Sequence, residues 1–139
     1  MTNPTFCNRA VQRTVQEFGR LDVLVNNAAY QQHVQAIAEL SDEQWEHTFR
    51  TNVVALNQLV REVLPHLAPG AIVAALSSET VAQPRVGLAA YAASKAALEA
   101  SIAAWKRDTE HQQAQRGGRA TWYADYTVRV AKVERAYGK

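Results

Sequence analysis

Two short apolar runs constrain the fold of this 139-residue chain more than any other feature. They are "LDVLVN" at residues 21–26 and "AIVAAL" at residues 71–76, and a predicted Pro-Gly turn at 69–70 precedes the second run. Short runs of this kind are typical of strands that are buried on both faces of a parallel sheet. Because parallel strands need a long connection, the chain between the two runs has to supply a crossover.

That crossover is predicted to be a helix. The segment 41–67 opens with a capping box from Ser41 to Gln44, and it carries large apolar residues at helical spacing until Pro65. Apolar periodicity predicts further helices near the start of the chain and over 89–107. The order helix, strand, helix, strand, helix predicts an α/β fold with a parallel sheet flanked by helices.

Composition excludes several classes of protein. Hydrophobic residues make up 47% of the chain and charged residues 20%, as in ordinary globular proteins, and the net charge of +2 gives no argument for nucleic acid. Cys7 is the single cysteine, so the chain has no disulfide framework and no cysteine-based metal site. No apolar run approaches the ~20 residues of a membrane span, and the start lacks the apolar core of a signal peptide. The sequence therefore predicts a cytoplasmic protein with no membrane or nucleic-acid partner and no metal.

The composition changes near residue 111. Residues 1–111 carry the α/β pattern, whereas 112–139 accumulate arginine, glutamine, glycine and tyrosine without leucine or isoleucine. We interpret the second segment as an atypical tail that is foreign, frame-shifted or disordered. Within it, "YTVRVAKV" at 126–133 alternates in a way that is compatible with a strand.

Tyr91 and Lys95 are four residues apart in the alanine-rich "AAYAASKAALEA", so they share one face of the predicted helix. A free tyrosine has a pKa of ~10 and is a poor base at neutral pH, but a lysine held beside it favours the phenolate. The pair is therefore a candidate for proton transfer. The spacing alone favours an ordinary solvated pair on a helix surface.

Polar residues also follow both predicted strands, where a parallel sheet places its ligand-binding loops. Asn26 and Asn27 close the first strand and Ser78 closes the second, although each residue type is also common in turns and caps. Asn52 lies inside the long predicted helix, where asparagine is unfavourable. Its side chain could bond a kinked backbone or a water molecule.

Together these residues resemble the motifs of the short-chain dehydrogenase/reductase family. "LDVLVNNAAY" is similar to that family's Asn-Asn-Ala-Gly segment, with Ala29 where glycine is usual, and "RTNVVAL" is similar to the segment of its catalytic asparagine. "AIVAALSSETVAQPRVGLAAYAASK" resembles its catalytic serine and Tyr-x-x-x-Lys motif, and the family's spacing of thirteen residues selects Ser78 rather than Ser77. The resemblance covers residues ~8–111 and implies a partial Rossmann-like, doubly wound sheet.

The resemblance implies an NAD(P)-dependent oxidoreductase that interconverts a small-molecule carbonyl and an alcohol. The implied catalytic residues are Asn52, Ser78, Tyr91 and Lys95. Tyr91 would exchange a proton with the substrate, Lys95 would favour its ionisation and bond the nicotinamide ribose, and Ser78 would hold the substrate oxygen. Asn52, through its backbone, would hold a water that relays protons to Lys95. The implied cofactor contacts are Asn26, Asn27, Ala28, Tyr91 and Lys95.

The family's glycine-rich phosphate-binding turn has no counterpart before residue 21. The choice between NAD and NADP therefore cannot be read from the sequence, and we expect weak or no turnover from the chain as given. The alternative interpretation is a non-enzymatic remnant or association module. In either case the resemblance implies a homo-oligomer formed through the helices at 42–66 and 89–107.

Overall fold

The computed structural model describes residues 4–107 and 126–131. Four α-helices and three strands make up this part of the chain. In chain order they are α1 (Pro4–Phe18), β1 (Leu21–Asn26), α2 (Asp42–Phe49), α3 (Ala55–Val63), β2 (Leu67–Leu76), α4 (Ala89–Arg107) and β3 (Tyr126–Ala131). A π-helical turn over Arg50–Val54 joins α2 to α3, and short 3-10 turns lie at Ile37–Glu39, Leu64–His66 and Glu79–Val81.

The three strands form one parallel sheet in the order β1-β2-β3. Val23 pairs with Ile72 and Asn26 pairs with Ala75, so the two apolar runs are neighbouring parallel strands. The helical segment that begins at Ser41 connects them. This confirms the predicted α/β fold and its central strand pair.

The second strand begins earlier than the sequence predicts. It starts at Leu67, which pairs with Leu21, and it includes the residues that were predicted to form a Pro-Gly turn. The pairing then shifts register before Ile72 pairs with Val23, so the chain of β2 advances further than that of β1 between these two pairs. The turn residues therefore interrupt the ladder without ending the strand, which apolar periodicity alone does not reveal.

The crossover helix is not regular along its length. It begins as predicted, with the Ser41 hydroxyl accepting a hydrogen bond from the amide of Gln44 at 3.2 Å. At Arg50–Val54 the chain widens into a π-helical turn, and it ends with a 3-10 turn that contains Pro65. Turns of the π type inside α-helices are rare and occur mostly at functional sites. Asn52 stands at the centre of this one.

The core lies between the helices and one face of the sheet. On β2 the side chains of Val73 and Ala75 are buried on this face, where they meet apolar residues of the helices. The buried members of this cluster are Val11, Leu21, Leu56, Val63, Leu67, Ala71, Val73, Ala75, Leu98 and Ile102. Deletion of a single large side chain from such a core typically costs about 2–5 kcal/mol.

The other face of β1 is open among the described residues. Val23 is 56% exposed and Val25 is 57% exposed, while their register partners Ile72 and Ala74 are only partly buried. The prediction that β1 is buried on both faces is therefore wrong for this part of the chain, because the described helices pack on the face opposite to Val23 and Val25. That prediction came from the apolar composition of β1, which is typical of a strand with both of its faces covered.

The tail contains a strand of the sheet. Residues 126–131 pair in parallel with β2, with Val73 opposite Val128, so this part of the strand predicted over 126–133 forms. The remainder of the tail lies outside the described residues, and its separate origin stays a prediction. No helix in the described ranges is long and apolar enough to cross a membrane.

The loop after β1 docks on the loop that precedes α4. The amide of Val34 donates a hydrogen bond to the carbonyl oxygen of Gly87 at 3.0 Å. Gly87 has a φ of 81°, and a Cβ atom there would overlap the His33 ring and the Val34 carbonyl oxygen. Both the backbone conformation and the close approach therefore require glycine.

We expect Gly87→Ala to lower the free energy of unfolding by about 3 kcal/mol, because the left-handed conformation costs about 1–2 kcal/mol and the overlap adds to it. Gly19→Ala is the matched control: its φ is 76°, but no atom lies within 4 Å of the added Cβ. The control should lose only about 1–2 kcal/mol. Urea unfolding of both variants measures the difference, and equal losses would contradict the tight contact at Gly87.

Candidate active site

A cavity of about 460 Å³ lies at the carboxyl ends of β1 and β2. Its walls come from the loop after β1, from the segment that follows β2 and from the first turns of α4. The lining residues are Asn27, Ala29, Gln31, Leu76, Ser77, Ser78, Glu79, Thr80, Arg85, Leu88, Tyr91 and Lys95. Ligands of open parallel sheets bind at this edge, so the cavity has the expected position for a functional site.

Tyr91 and Lys95 face this cavity from one side of α4. The Lys95 Nζ atom lies 5.8 Å from the centre of the Tyr91 ring, as their spacing of four residues predicts. Lys95 is only 2% exposed, and its ammonium group donates a hydrogen bond to the carbonyl oxygen of Leu76 at 2.8 Å. The end of β2 therefore holds the lysine beside the tyrosine, so the pair is not a solvated surface pair.

Burial lowers the pKa of Lys95 below its ordinary value of 10.5, because desolvation disfavours the charged form. An ammonium group has three donors, and the bond to Leu76 uses one of them. Lys95 lines the cavity, so a ligand there could reach its remaining N–H donors. A ligand that carries oxygen acceptors, such as neighbouring hydroxyl groups, would satisfy them.

Ser78 lies two residues beyond the end of β2 and also lines the cavity. Its hydroxyl oxygen accepts one hydrogen bond from the amide of Thr80 at 3.2 Å and one from the Thr80 hydroxyl at 2.9 Å. The residue thus caps the 3-10 turn Glu79–Val81, which is the ordinary structural use of a serine at a strand end. Capping and exposure to the cavity coexist here. The neighbouring Ser77 hydroxyl instead donates to the Glu99 carboxylate on α4.

Asn52 lies behind the cavity wall and has no exposed surface. Its side-chain oxygen accepts a hydrogen bond from the Tyr30 amide at 2.7 Å, and its side-chain nitrogen donates to the Tyr30 carbonyl oxygen at 2.9 Å. The same nitrogen donates to the Ser94 hydroxyl at 2.8 Å. Asn52 therefore joins the loop after β1, the π-helical turn and α4 at one buried point.

Sequence reasoning selected Asn52 but missed its partners. The Ser94 hydroxyl donates to the Tyr91 carbonyl oxygen at 2.7 Å, so a chain of hydrogen bonds connects Asn52 to the backbone of Tyr91. The sequence does carry one signal for Ser94, which is a polar residue within an alanine-rich helix. The contribution of Tyr30 comes from its backbone, and no side-chain pattern in the sequence could reveal it.

The loop after β1 contributes Asn27, Ala29 and Gln31 to the cavity wall. Asn26, at the last position of the strand, is only 3% exposed, and Ala28 is partly buried. Roles in cofactor binding therefore remain predictions for Asn26 and Ala28. Asn27 lies where a ligand in the cavity would meet it.

Comparison with known proteins identifies the family. The sequence profile described as short chain dehydrogenase matches residues 1–116. The chain belongs to the short chain dehydrogenase family. Its solved relatives include a short-chain dehydrogenase/reductase of Serratia marcescens, with a TM-score of 0.76 and 27% identity over 93% of this chain and 53% of that chain. A glucose/ribitol dehydrogenase from Brucella melitensis gives a TM-score of 0.72 and 26% identity, over 76% and 45% of the two chains.

Two of the curated relatives illustrate the similarity to named oxidoreductases. The chain is 41% identical over 92 residues to the uncharacterized oxidoreductase YhdF of Bacillus subtilis, covering 66% of this chain and 32% of the relative. It is 35% identical over 118 residues to the chloroplastic NADPH-dependent aldehyde reductase 1 of Arabidopsis thaliana, covering 85% and 40%. The chain therefore spans between about a third and two fifths of these relatives.

We expect Asn52→Ala to lower the free energy of unfolding by about 3 kcal/mol, because it leaves the partly buried amide and carbonyl of Tyr30 and the buried Ser94 hydroxyl without their partner. Asn57→Ala is the matched control: that side chain is exposed and donates only to the Val53 carbonyl at 3.1 Å. The control should change stability by no more than about 0.5 kcal/mol. Denaturant unfolding measures both values, and a small loss for Asn52→Ala would refute the proposed structural importance of its bonds.

Lys95 should make the stability of the fold depend on pH. Its pKa is lower in the folded chain than in the unfolded chain, so the unfolded chain binds more protons between the folded value and 10.5. As the pH rises through this window, the wild type should gain stability relative to Lys95→Met. Unfolding of both proteins at a series of pH values tests this expectation. A difference in free energy that stays flat up to pH 10.5 would argue against a desolvated ammonium.

Proposed function

We propose that this chain carries the proton-transfer centre of an NAD(P)-dependent oxidoreductase that interconverts a carbonyl and an alcohol. One observation carries the proposal: Tyr91, the buried Lys95 and Ser78 line the same cavity at the carboxyl edge of a parallel sheet. Membership of the short chain dehydrogenase family supports the class of reaction. The substrate is proposed to be a small molecule, since the cavity has the size of a small-molecule site.

In the direction of reduction, Tyr91 donates its phenolic proton to the substrate oxygen, and in oxidation its phenolate accepts that proton. The adjacent Lys95 ammonium stabilises the phenolate by its charge. Ser78 holds the substrate oxygen, and Asn52 fixes the π-helical turn whose backbone would hold a relay water. These roles follow the positions of the side chains around one cavity and require no movement of the sheet.

The residues present fit the nicotinamide end of the cofactor. The remaining donors of the Lys95 ammonium suit the ribose hydroxyls, and Asn27 lines the same cavity. A bound nicotinamide supplies the hydride of such a reaction. The protein contributes orientation, exclusion of water and the proton. The NADPH-dependent relative from Arabidopsis supports NADP as the first cofactor to test.

Self-association is a second proposal, and it follows from the surface of α2 and the π-helical turn. Trp45 is stacked on Phe49, with their ring centres 5.3 Å apart, yet Trp45 remains exposed, as does Val54. Exposed aromatic and aliphatic side chains on one helical segment are typical of a contact surface. Pairing through the segments 42–66 and 89–107 would cover them. Sedimentation of the wild type and of Trp45→Glu distinguishes a dimer from a monomer.

The wild-type chain is expected to reduce aldehydes and ketones only weakly with NADPH or NADH, and we expect Tyr91→Phe to bring this reduction down to background, because the variant lacks the proton donor. Tyr30→Phe is the matched control, since the Tyr30 hydroxyl contacts only the exposed Gln32 among the described residues. It should retain the wild-type rate. Turnover that survives in Tyr91→Phe would overturn the proposed role of this residue.

Cofactor binding is tested separately from turnover. NADP⁺ and NAD⁺ are titrated into the isotope-labelled chain, and we expect shifts of the NMR signals of Leu76, Ser78 and Tyr91. Lys95→Met should abolish these shifts, whereas the exposed Arg61→Met should retain them. Binding that is equally strong in Lys95→Met would contradict the assignment of the ribose contact. A chain that binds neither dinucleotide would contradict the proposed cofactor.

A further inference from the structure

We propose that Thr80 is a positioning residue that orients the Ser78 hydroxyl, so that Ser78 serves only as a hydrogen-bond donor to the substrate oxygen. The inference rests on the proposed function, which gives Ser78 the task of holding that oxygen. It adds a residue outside the four that the sequence motifs indicate, and it assigns a direction to the hydrogen bond that Ser78 makes.

The hydrogen bonds at Ser78 carry the argument. A serine hydroxyl has one proton and two acceptor positions. At Ser78 the Thr80 amide donates to the oxygen at 3.2 Å, and the Thr80 hydroxyl donates to it at 2.9 Å. Both acceptor positions are therefore filled by the same residue. The hydroxyl proton of Ser78 therefore points away from Thr80 and toward the cavity that Ser78 lines.

The reverse orientation of the hydroxyl pair is less favourable. If Ser78 donated to Thr80, the Thr80 proton would need another acceptor, and the described residues provide none for it. Thr80 also lines the cavity, but it is only 4% exposed, whereas Ser78 is partly exposed, so a leftover proton on Ser78 meets water or a ligand more readily than one on Thr80. With Thr80 as the donor, both hydroxyl groups are satisfied once a ligand oxygen meets Ser78.

The local backbone explains why Thr80 can make both bonds. Ser78 has an extended backbone conformation, with φ −149° and ψ 148°, and it caps the 3-10 turn Glu79–Val81. The amide of Val81 donates to the Ser78 carbonyl oxygen at 3.2 Å, which closes the turn. The side chain two residues after Ser78 is thereby brought back against its hydroxyl. This turn holds the serine while leaving one side of it open to the cavity.

The orientation determines the path of the proton. The Ser78 oxygen already accepts two hydrogen bonds, so it has no acceptor position left for the Tyr91 proton. In carbonyl reduction, a bound dihydronicotinamide would supply the hydride to the carbonyl carbon and would be oxidised as the carbonyl π bond breaks. The substrate oxygen then takes its proton directly from Tyr91. Tyr91 is left as the phenolate. Ser78 donates to the oxygen throughout and stabilises the negative charge that develops on it, without changing its own protonation.

The position of two hydrogen atoms tests the inference directly. In a neutron structure of the deuterated chain, we expect the Thr80 hydroxyl deuteron to lie between the two oxygens and the Ser78 deuteron to point into the cavity. A Ser78 deuteron on the line to the Thr80 oxygen would overturn the inference. Because this measurement needs neither cofactor nor turnover, its outcome does not depend on the proposed function.

Kinetics test the consequence for catalysis. Thr80→Val keeps the shape but removes the hydroxyl, and we expect it to lower kcat for aldehyde reduction about tenfold with KM nearly unchanged. Thr80→Ser restores the hydroxyl and should stay within about threefold of the wild type. In a Ser78→Ala background, Thr80→Val should have no further effect on kcat, since the group that it orients is absent. Equal losses in both backgrounds would mean that Thr80 acts independently of Ser78.

The two proposals can fail separately. A wild type that binds neither dinucleotide while its hydroxyl deuterons lie as expected would count against the proposed function and leave the orientation of Ser78 intact. Robust turnover with unchanged kcat in Thr80→Val would overturn the positioning role while supporting the function. Unfolding of each variant by urea, measured in parallel, ensures that a lower kcat is assigned to a folded protein.

Discussion

The buried side chain of Asn52 is the contact on which the site depends. It holds both backbone groups of Tyr30 and the hydroxyl of Ser94, and through Ser94 it reaches the backbone of Tyr91. An amide with donors and an acceptor is well suited to this task, because it can satisfy a peptide amide and a carbonyl at once. Three separate stretches of chain thereby acquire fixed relative positions. Two of these stretches, the loop after β1 and α4, contribute walls of the cavity.

Lys95 shows how the same geometry supports chemistry. A buried ammonium group is unfavourable unless acceptors compensate for its lost hydration, and the carbonyl oxygen of Leu76 supplies part of that compensation. Lys95 also lines the cavity, so oxygen atoms of a ligand there would add to that compensation. Tyr91 lies beside this charge, and Ser78 lies on the same cavity. The proposed ligand binding and the proposed proton transfer would therefore both depend on one desolvated cation.

The sequence predicted the features that local chemistry determines. Capping at Ser41, the parallel pairing of β1 with β2 and the common face of Tyr91 and Lys95 each follow from residue type and spacing. It did not predict contacts that depend on the tertiary fold. The Asn52 side chain bonds the backbone of Tyr30, which lies 22 residues away in the chain. The residues of β2 that precede its apolar run join the strand through irregular pairing with β1. Neither leaves a periodic pattern in the sequence.

The π-helical turn at Arg50–Val54 has a consequence for the length of the chain. It accommodates one more residue than the α-helical turn that it replaces, and each residue of an α-helix rotates the chain by about 100°. Deletion of one residue here would therefore rotate α3 by about that angle relative to α2. Leu56 and Val63, which are buried against the sheet, would turn away from it. The packing of the core therefore constrains the length of this segment, in addition to the hydrogen bonds of Asn52.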